Sequence, residues 1–162
     1  TPDSPKENFE SDINNDILKL VYINRYNNGT PQIAFCKGFN LKEGAFASSI
    51  AHDSHNILAV GCTDENLTEA INAVIRKKGG LSVHKEDETH LLPLPIGGIM
   101  SGLTGEQVAA QYKKLNNLLH EMGCTLSSPF MTLSFMALVV IPEIKIGEKG
   151  LFSFNRFNWI EE

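Results

Sequence analysis

The sequence predicts an α/β fold, with α+β as the alternative: a single layered domain with a mixed sheet of about six strands and two or three packed helices. Three observations lead to this expectation. Short apolar runs of strand length recur along the chain, separated by Gly, Pro and Asn. Two longer stretches show helical apolar periodicity behind a capping residue. The 162 residues, 42% hydrophobic and 20% charged, are enough for one domain with a core.

The first part of the chain consists mainly of predicted strands. Residues 17–23 and 32–36 are expected to pair as a hairpin through the turn at 27–31, because Asn-Gly is a strong hairpin signal. Residues 45–50 and 57–62 are two further apolar runs. The polar segment between them is therefore expected in a tight connection at a strand end.

The first helix is predicted to begin after Thr63, a suitable N-cap, and to end at Gly79-Gly80. Its apolar residues share one helical face, and they are Leu67, Ala70, Ile71, Val74 and Ile75. Residues 57–86 are thus interpreted as a strand–helix–strand unit. Its connection is expected to be right-handed if the two strands are parallel neighbours.

A charged turn at residues 85–89 and a returning strand from His90 follow. The Pro/Gly-rich stretch at 93–98 is not expected to form an ordinary ladder, since prolines remove backbone donors and glycines allow positive φ. Thr104 and Gln107 form a capping-box pattern at the start of a second helix.

The C-terminal part is apolar but less periodic. Residues 130–141 could form either a helix or a strand, and residues 144–146 are predicted to form a short strand. The aromatic tail at residues 151–160 is expected either to pack back on the domain or to dock a neighbour.

Composition argues against several classes of protein. A net charge of -5 makes nucleic acid an unsuitable partner. No apolar run approaches the ~20 residues of a membrane span. The three cysteines have no metal-site spacing and are interpreted as reduced thiols, which predicts a cytoplasmic protein.

The candidate site residues are His52, Asp53, Ser54, His55 and Asn56, a polar cluster between two apolar runs. The alternative interpretation is a turn whose Asp and Ser bond their own backbone. His52, Asp53 and His55 offer three metal-ligand types, but no fourth ligand stands at a motif spacing, so no metal is expected in this chain. No G-x-S-x-G pattern indicates a serine hydrolase.

Three segments of the chain resemble the C-terminal domain of bacterial adenine deaminases, members of the amidohydrolase superfamily. They are Lys-Gly-Phe at 37–39 with the run from Gly44 to Ile57, Leu-Pro-Leu-Pro-Ile-Gly-Gly-Ile-Met-Ser at 92–101, and Pro-Phe-Met-Thr-Leu-Ser-Phe-Met-Ala-Leu at 129–138. The resemblance extends from about Asp16 to about Leu151. It implies a hydrolase of purine metabolism that converts adenine to hypoxanthine and ammonia. It also implies a manganese or iron centre in a (β/α)₈ barrel whose ligands lie outside this sequence.

The resemblance implies a domain plan and a set of partners. Residues 1–16 would be a linker from an upstream catalytic barrel, and residues 17–162 the C-terminal domain. Adenine, the barrel and further copies of the chain, as a homo-oligomer, are the expected partners, and the isolated segment is expected to be inactive.

Three roles remain open for this domain. The loop at 52–56 could cover or orient the purine, with His52 or His55 moving a proton. Alternatively, the domain is an interaction module whose aromatic tail at 152–159 forms an interface. A third hypothesis is a small hydrolase with its own metal on His52, Asp53 and His55.

Overall fold

The computed structural model describes residues 9–27 and 29–160 of the chain. Its centre is a six-stranded sheet in the order β2-β1-β4-β3-β5-β6. The strands are β1 (Leu18–Ile23), β2 (Gln32–Cys36), β3 (Ala45–Ser48), β4 (Ile57–Gly61), β5 (Gly80–Lys85) and β6 (Glu88–Pro93). The helices are α1 (Asp64–Arg76), α2 (Gly105–Glu121) and α3 (Pro129–Phe135). The predicted fold class, six strands and three helices are confirmed.

The pairing within this sheet differs from the expected mixed arrangement, because every pair is antiparallel. The strands β4 and β5, which flank α1, run in the same direction but are not neighbours, since β3 lies between them. All four residues of β3 are buried. A strand buried in this way needs hydrogen-bonding partners on both edges, and β4 and β5 supply them.

Alternation along the strands produces two separate apolar clusters, one on each face of the sheet. On one face α1 packs against small and branched side chains, including Ala45, Ala47 and Ala59. On the other face larger side chains such as Phe46 and Leu58 pack against α2 and α3. The sheet is therefore the middle layer of three.

Both predicted helix starts are confirmed by their caps. Thr63 accepts a hydrogen bond from the Asn66 amide, and Thr104 and Gln107 form the complete capping box of α2. Residues 130–141, for which helix and strand were both open, begin as α3 but leave the helix after Phe135. A proline at the first helical position favours this start.

The C-terminal tail forms a second, three-stranded antiparallel sheet of β7 (Ile144–Gly147), β8 (Gly150–Ser153) and β9 (Asn158–Trp159). Phe152 is buried at its centre and packs edge-to-face against Phe157 and Trp159. This small sheet lies against β2. The tail thus packs largely on its own domain, and Phe157 is left 72% exposed.

The predicted linker, residues 1–16, lies partly outside the described residues. Its last part is hydrogen-bonded to the domain. The Ser11 hydroxyl donates to the Gly61 carbonyl, and the Asp16 carboxylate accepts from the amides of Gly38 and Asn40. In the part of the chain that the structure describes, no helix combines the length and the apolar character of a membrane span.

Candidate functional site

The predicted site residues form the connection between β3 and β4, at one end of the central sheet. Asp53 and Ser54 are exposed at its tip, His52 and His55 are half-buried, and Asn56 is buried. The connection is a tight turn closed by the His55 amide, which donates to the Ala51 carbonyl over 2.6 Å. The rigid apolar strands on both sides fix where the turn lies, as the sequence predicted.

Arg25, which follows β1, holds this loop in place. Its Nε donates to the His55 carbonyl over 2.5 Å, and its Nη2 donates to the Gly97 carbonyl over 2.5 Å. Its backbone amide donates to Asn56 Oδ1, and its guanidinium lies 4.7 Å from the Tyr26 ring centre. The Arg25 side chain therefore joins the polar loop to the Pro/Gly-rich stretch, although Arg25 lies in no recognisable sequence motif.

Ser49 makes a second connection between the same two segments. Its hydroxyl donates to the Gly98 carbonyl over 2.5 Å and accepts from the Gly80 amide over 2.8 Å. Gly98 has a φ of 79°, and a Cβ there would collide with the Arg25 guanidinium. The glycine is thus required both by its backbone conformation and by the close approach of Arg25.

The C-terminal end of α3 provides the third wall of the site. The His52 amide donates to the Ser134 carbonyl over 3.1 Å. The His52 ring lies 5.1 Å from the Phe135 ring and 5.8 Å from the His55 ring, measured between centroids. The three segments that carry the family resemblance, 44–57, 92–101 and 129–138, therefore meet at one end of the sheet.

Both polar atoms of the Asn56 side chain are hydrogen-bonded within the domain. Its Oδ1 accepts from the Arg25 amide, and its Nδ2 donates to the Tyr22 hydroxyl over 2.6 Å. Its side chain is therefore not free to address a ligand, and its function within this loop is to fix the strand end.

Asp53 and Ser54 face outward. Both line a hollow of about 290 Å³ together with Val140 and Trp159. The Ser54 carbonyl accepts a hydrogen bond from the Tyr26 hydroxyl, which restrains the backbone without engaging either side chain. A carboxylate and a hydroxyl are thus presented to the surroundings on a restrained turn.

His55 carries an unsatisfied polar atom. Its Nδ1 is shielded from solvent and has no hydrogen-bond partner among the described residues. A buried polar atom without a hydrogen-bond partner lowers the stability of the folded protein, so such atoms are normally paired. A group brought from outside this domain could supply that partner.

A metal ion does not fit this loop. Among residues 9–27 and 29–160, no three His, Cys, Asp or Glu side chains converge closely enough to hold one. This finding speaks against the hypothesis of an intrinsic metal site on His52, Asp53 and His55.

The segments that contact the polar loop, and the residues that follow them in the chain, also carry exposed apolar side chains. They are Ile96, Ile99, Met100, Leu103, Met131, Phe135 and Val140. Exposed apolar residues beside a polar centre are typical of a surface that is covered in the assembled protein. We call this surface, together with residues 52–55, the loop face.

The chain matches the family model described as the adenine deaminase C-terminal domain over residues 1–158. It is 51% identical over 154 residues to an adenine deaminase of Methanosarcina acetivorans. The aligned region covers 95% of this chain and 28% of that protein. It is 49% identical to an adenine deaminase of Sulfurovum and 47% identical to one of Borreliella burgdorferi. These two alignments cover 90% and 94% of this chain, respectively. The chain spans 28% of the length of each of these relatives.

Proposed function

Because this chain belongs to the adenine deaminase C-terminal domain family, we propose that it is the accessory C-terminal domain of an enzyme that hydrolyses adenine to hypoxanthine and ammonia. The names of the relatives support the activity of the longer protein. The metal ion expected for this reaction, manganese or iron, would be held by the part of the protein outside this chain. A cytoplasmic homo-oligomer stays a prediction.

We propose further that the loop face lies over the active site of the upstream part and helps to cover or orient the purine. The observation that carries this proposal is the convergence of three distant segments on one loop, which is anchored to Gly97 and Ser134. A site needs side chains held rigidly by their neighbours. The hydrogen bonds to the His55, Gly97 and Ser134 carbonyls restrain the backbone that presents Asp53 and Ser54.

The chemistry of the loop suits a purine. The Asp53 carboxylate can accept from the exocyclic amine or from a ring N–H of adenine, and the Ser54 hydroxyl can donate to a ring nitrogen. His55, whose Nδ1 lacks a partner, could bond the purine or move a proton beside it. Asn56 is left out of this set, because both of its polar atoms are bonded within the domain.

Single substitutions in the full-length enzyme test this role. We expect His52→Ala, Asp53→Ala and His55→Ala each to lower kcat/KM for adenine by more than about tenfold, or ~1.4 kcal/mol. Asp87→Ala is the matched control, since Asp87 is exposed in the β5–β6 turn. Asp53→Asn should keep the hydrogen bond from an amine and restore part of the activity. If kcat/KM falls by less than about tenfold in all three variants, the loop has only a structural role as a contact between domains.

The isolated chain provides an independent test. We expect the folded 162-residue chain to release no ammonia from adenine, with or without added Mn(II). Metal-dependent turnover by the isolated chain would contradict the accessory role and move the catalytic centre into this domain.

The alternative function is an interaction module without a direct catalytic role. The aromatic tail gives little support for it, because Phe152 is buried within the domain. The exposed apolar side chains of the loop face support it better. Under this alternative, introducing a charge with Met131→Glu would change the oligomeric state in sedimentation, while Asp53→Ala leaves kcat/KM unchanged.

A further inference from the structure

The face of the central sheet that carries α1 is only partly covered. α1 lies over β3–β6, whereas β1 and β2 extend beyond it. On this uncovered part, Ile33 of β2 is 60% exposed and Phe35 is 41% exposed. Ile75, on the side of α1 that faces the same area, is 50% exposed. Large apolar side chains at three neighbouring positions are thus left in solvent.

Ile33 and Ile75 line a continuous groove beside α1. One part has a volume of about 370 Å³ and is lined by Val21, Ile33 and Leu67, among other residues. It joins a second part of about 510 Å³ at the C-terminal end of α1, and the two share Ile23 and Ile75. The groove follows the 13 residues of α1, so it is about 20 Å long.

The shape of this groove suits a helix. In layered α/β folds, apolar sheet surface is covered by helices lying side by side. Here one helix covers the inner strands, and the uncovered strip of β1 and β2 lies directly beside it. An apolar helix face placed in the groove would contact Ile33 on one side and Ile75 on the other.

The path of the chain indicates where the occupant comes from. Ser11 is bonded to Gly61 and to the Lys19 amide, beside the N-terminal end of α1. The hollow that holds Ser11 shares Lys19 and Asp64 with the groove. The chain at Glu10 and Ser11, the first part that the structure describes, therefore lies at one end of the groove. The relatives contain far more sequence than this domain, which is 28% of their length.

We propose that the groove beside α1 is the docking site for an apolar-faced helix from the upstream part of the same polypeptide. The proposal rests on the proposed function in one respect, namely that this chain is the C-terminal domain of a longer enzyme. At the far end of the groove, Arg25 and Lys78 line the hollow, and no carboxylate lies among its described lining residues. The docked helix carries acidic residues at that end. The C-terminal end of the docked helix leads to Phe9, so its N-terminal end lies beside Arg25 and Lys78. Acidic residues at a helix N-terminus are also favoured by the helix dipole.

The first experiment measures accessibility in the full-length enzyme. Ile75→Cys is placed in the groove, and Phe157→Cys, at an exposed position of the small sheet, is the control. We expect a maleimide to label Ile75→Cys at least about tenfold more slowly than the control, because the docked helix must open first. Equal labelling rates would overturn the proposal.

The second experiment identifies the occupant. A photoreactive phenylalanine analogue replaces Ile33, which lines the groove, in the full-length enzyme, and the cross-linked peptides are read by mass spectrometry. Cross-links to residues upstream of Phe9 in the same chain support the proposal. A cross-linked dimer, protection that depends on protein concentration, or no cross-link at all would overturn it. Adenine deamination is measured in parallel, so a failure of the proposed function is distinguished from a failure of the docking site.

Discussion

Replacing Arg25 with Met tests whether the guanidinium holds the loop face together. Methionine keeps most of the apolar stem but removes the hydrogen bonds to the His55 and Gly97 carbonyls, both 2.5 Å long. Hydrogen bonds from a charged donor contribute ~1.5–3 kcal/mol each. Arg25 is half-buried, and water can replace it at the two carbonyls, so the lower end applies to each bond. For the two bonds together we expect a loss of about 3 kcal/mol in the free energy of unfolding.

Urea denaturation of the domain measures this loss. With a slope of ~2–3 kcal/mol/M, the midpoint should fall by about 1 M. Arg156→Met is the control, because Arg156 is exposed and its guanidinium makes no hydrogen bond within the described residues. In the full-length enzyme, Arg25→Met should also lower kcat/KM more than Arg25→Lys, which keeps the charge but not the planar fork. If the urea midpoint is unchanged in Arg25→Met, or if Arg156→Met lowers it by the same amount, the Arg25 guanidinium does not hold the loop face together.

Two further predictions concern buried polar groups. Ser49→Ala should cost about 1–3 kcal/mol in urea denaturation, since it leaves the buried Gly80 amide without its partner; a loss under ~0.5 kcal/mol would contradict the second connection to Gly98. Burial, with a smaller contribution from Asp16, raises the pKa of the Cys36 thiol to about 12, against an ordinary value of 9.0. At pH 8 a thiol reagent should therefore modify Cys36 roughly a thousandfold more slowly than an ordinary thiol, and the rate should rise steadily up to about pH 12. Fast modification of Cys36 at pH 8 in the folded protein would contradict this environment.

The position of the candidate site could be predicted because its flanks are simple. Ala45–Ser48 and Ile57–Gly61 are short apolar runs, and a polar segment between two buried strands must lie at their ends. The Pro/Gly-rich stretch at 93–98 was likewise expected to have a special backbone. Gly97 and Gly98 do have positive φ, and their carbonyls are the acceptors of the site.

The importance of Arg25 could not be predicted in the same way. Its partners are two backbone carbonyls 30 and 72 residues away, and every residue has a carbonyl. A local pattern carries no information about contacts of that kind. Similarly, Asn56 belongs to the polar cluster in the sequence, but its bond to the Tyr22 hydroxyl, 34 residues away, removes it from the exposed set.

Most strands and the first two helices could be predicted from the sequence, because capping, apolar periodicity and turn chemistry act over a few residues. Thr63 and Thr104 cap their helices, and the run from Leu18 to Ile23 is a strand regardless of its partner. The extent of α3, the strands β8 and β9 and the strand order depend on packing between distant segments. The tertiary structure placed β3 between β4 and β5, because four fully buried residues need partners on both edges. By doing so it brought residues 49–56, 97–98 and 134 to one end of the sheet, where hydrogen bonds between distant segments build the loop face.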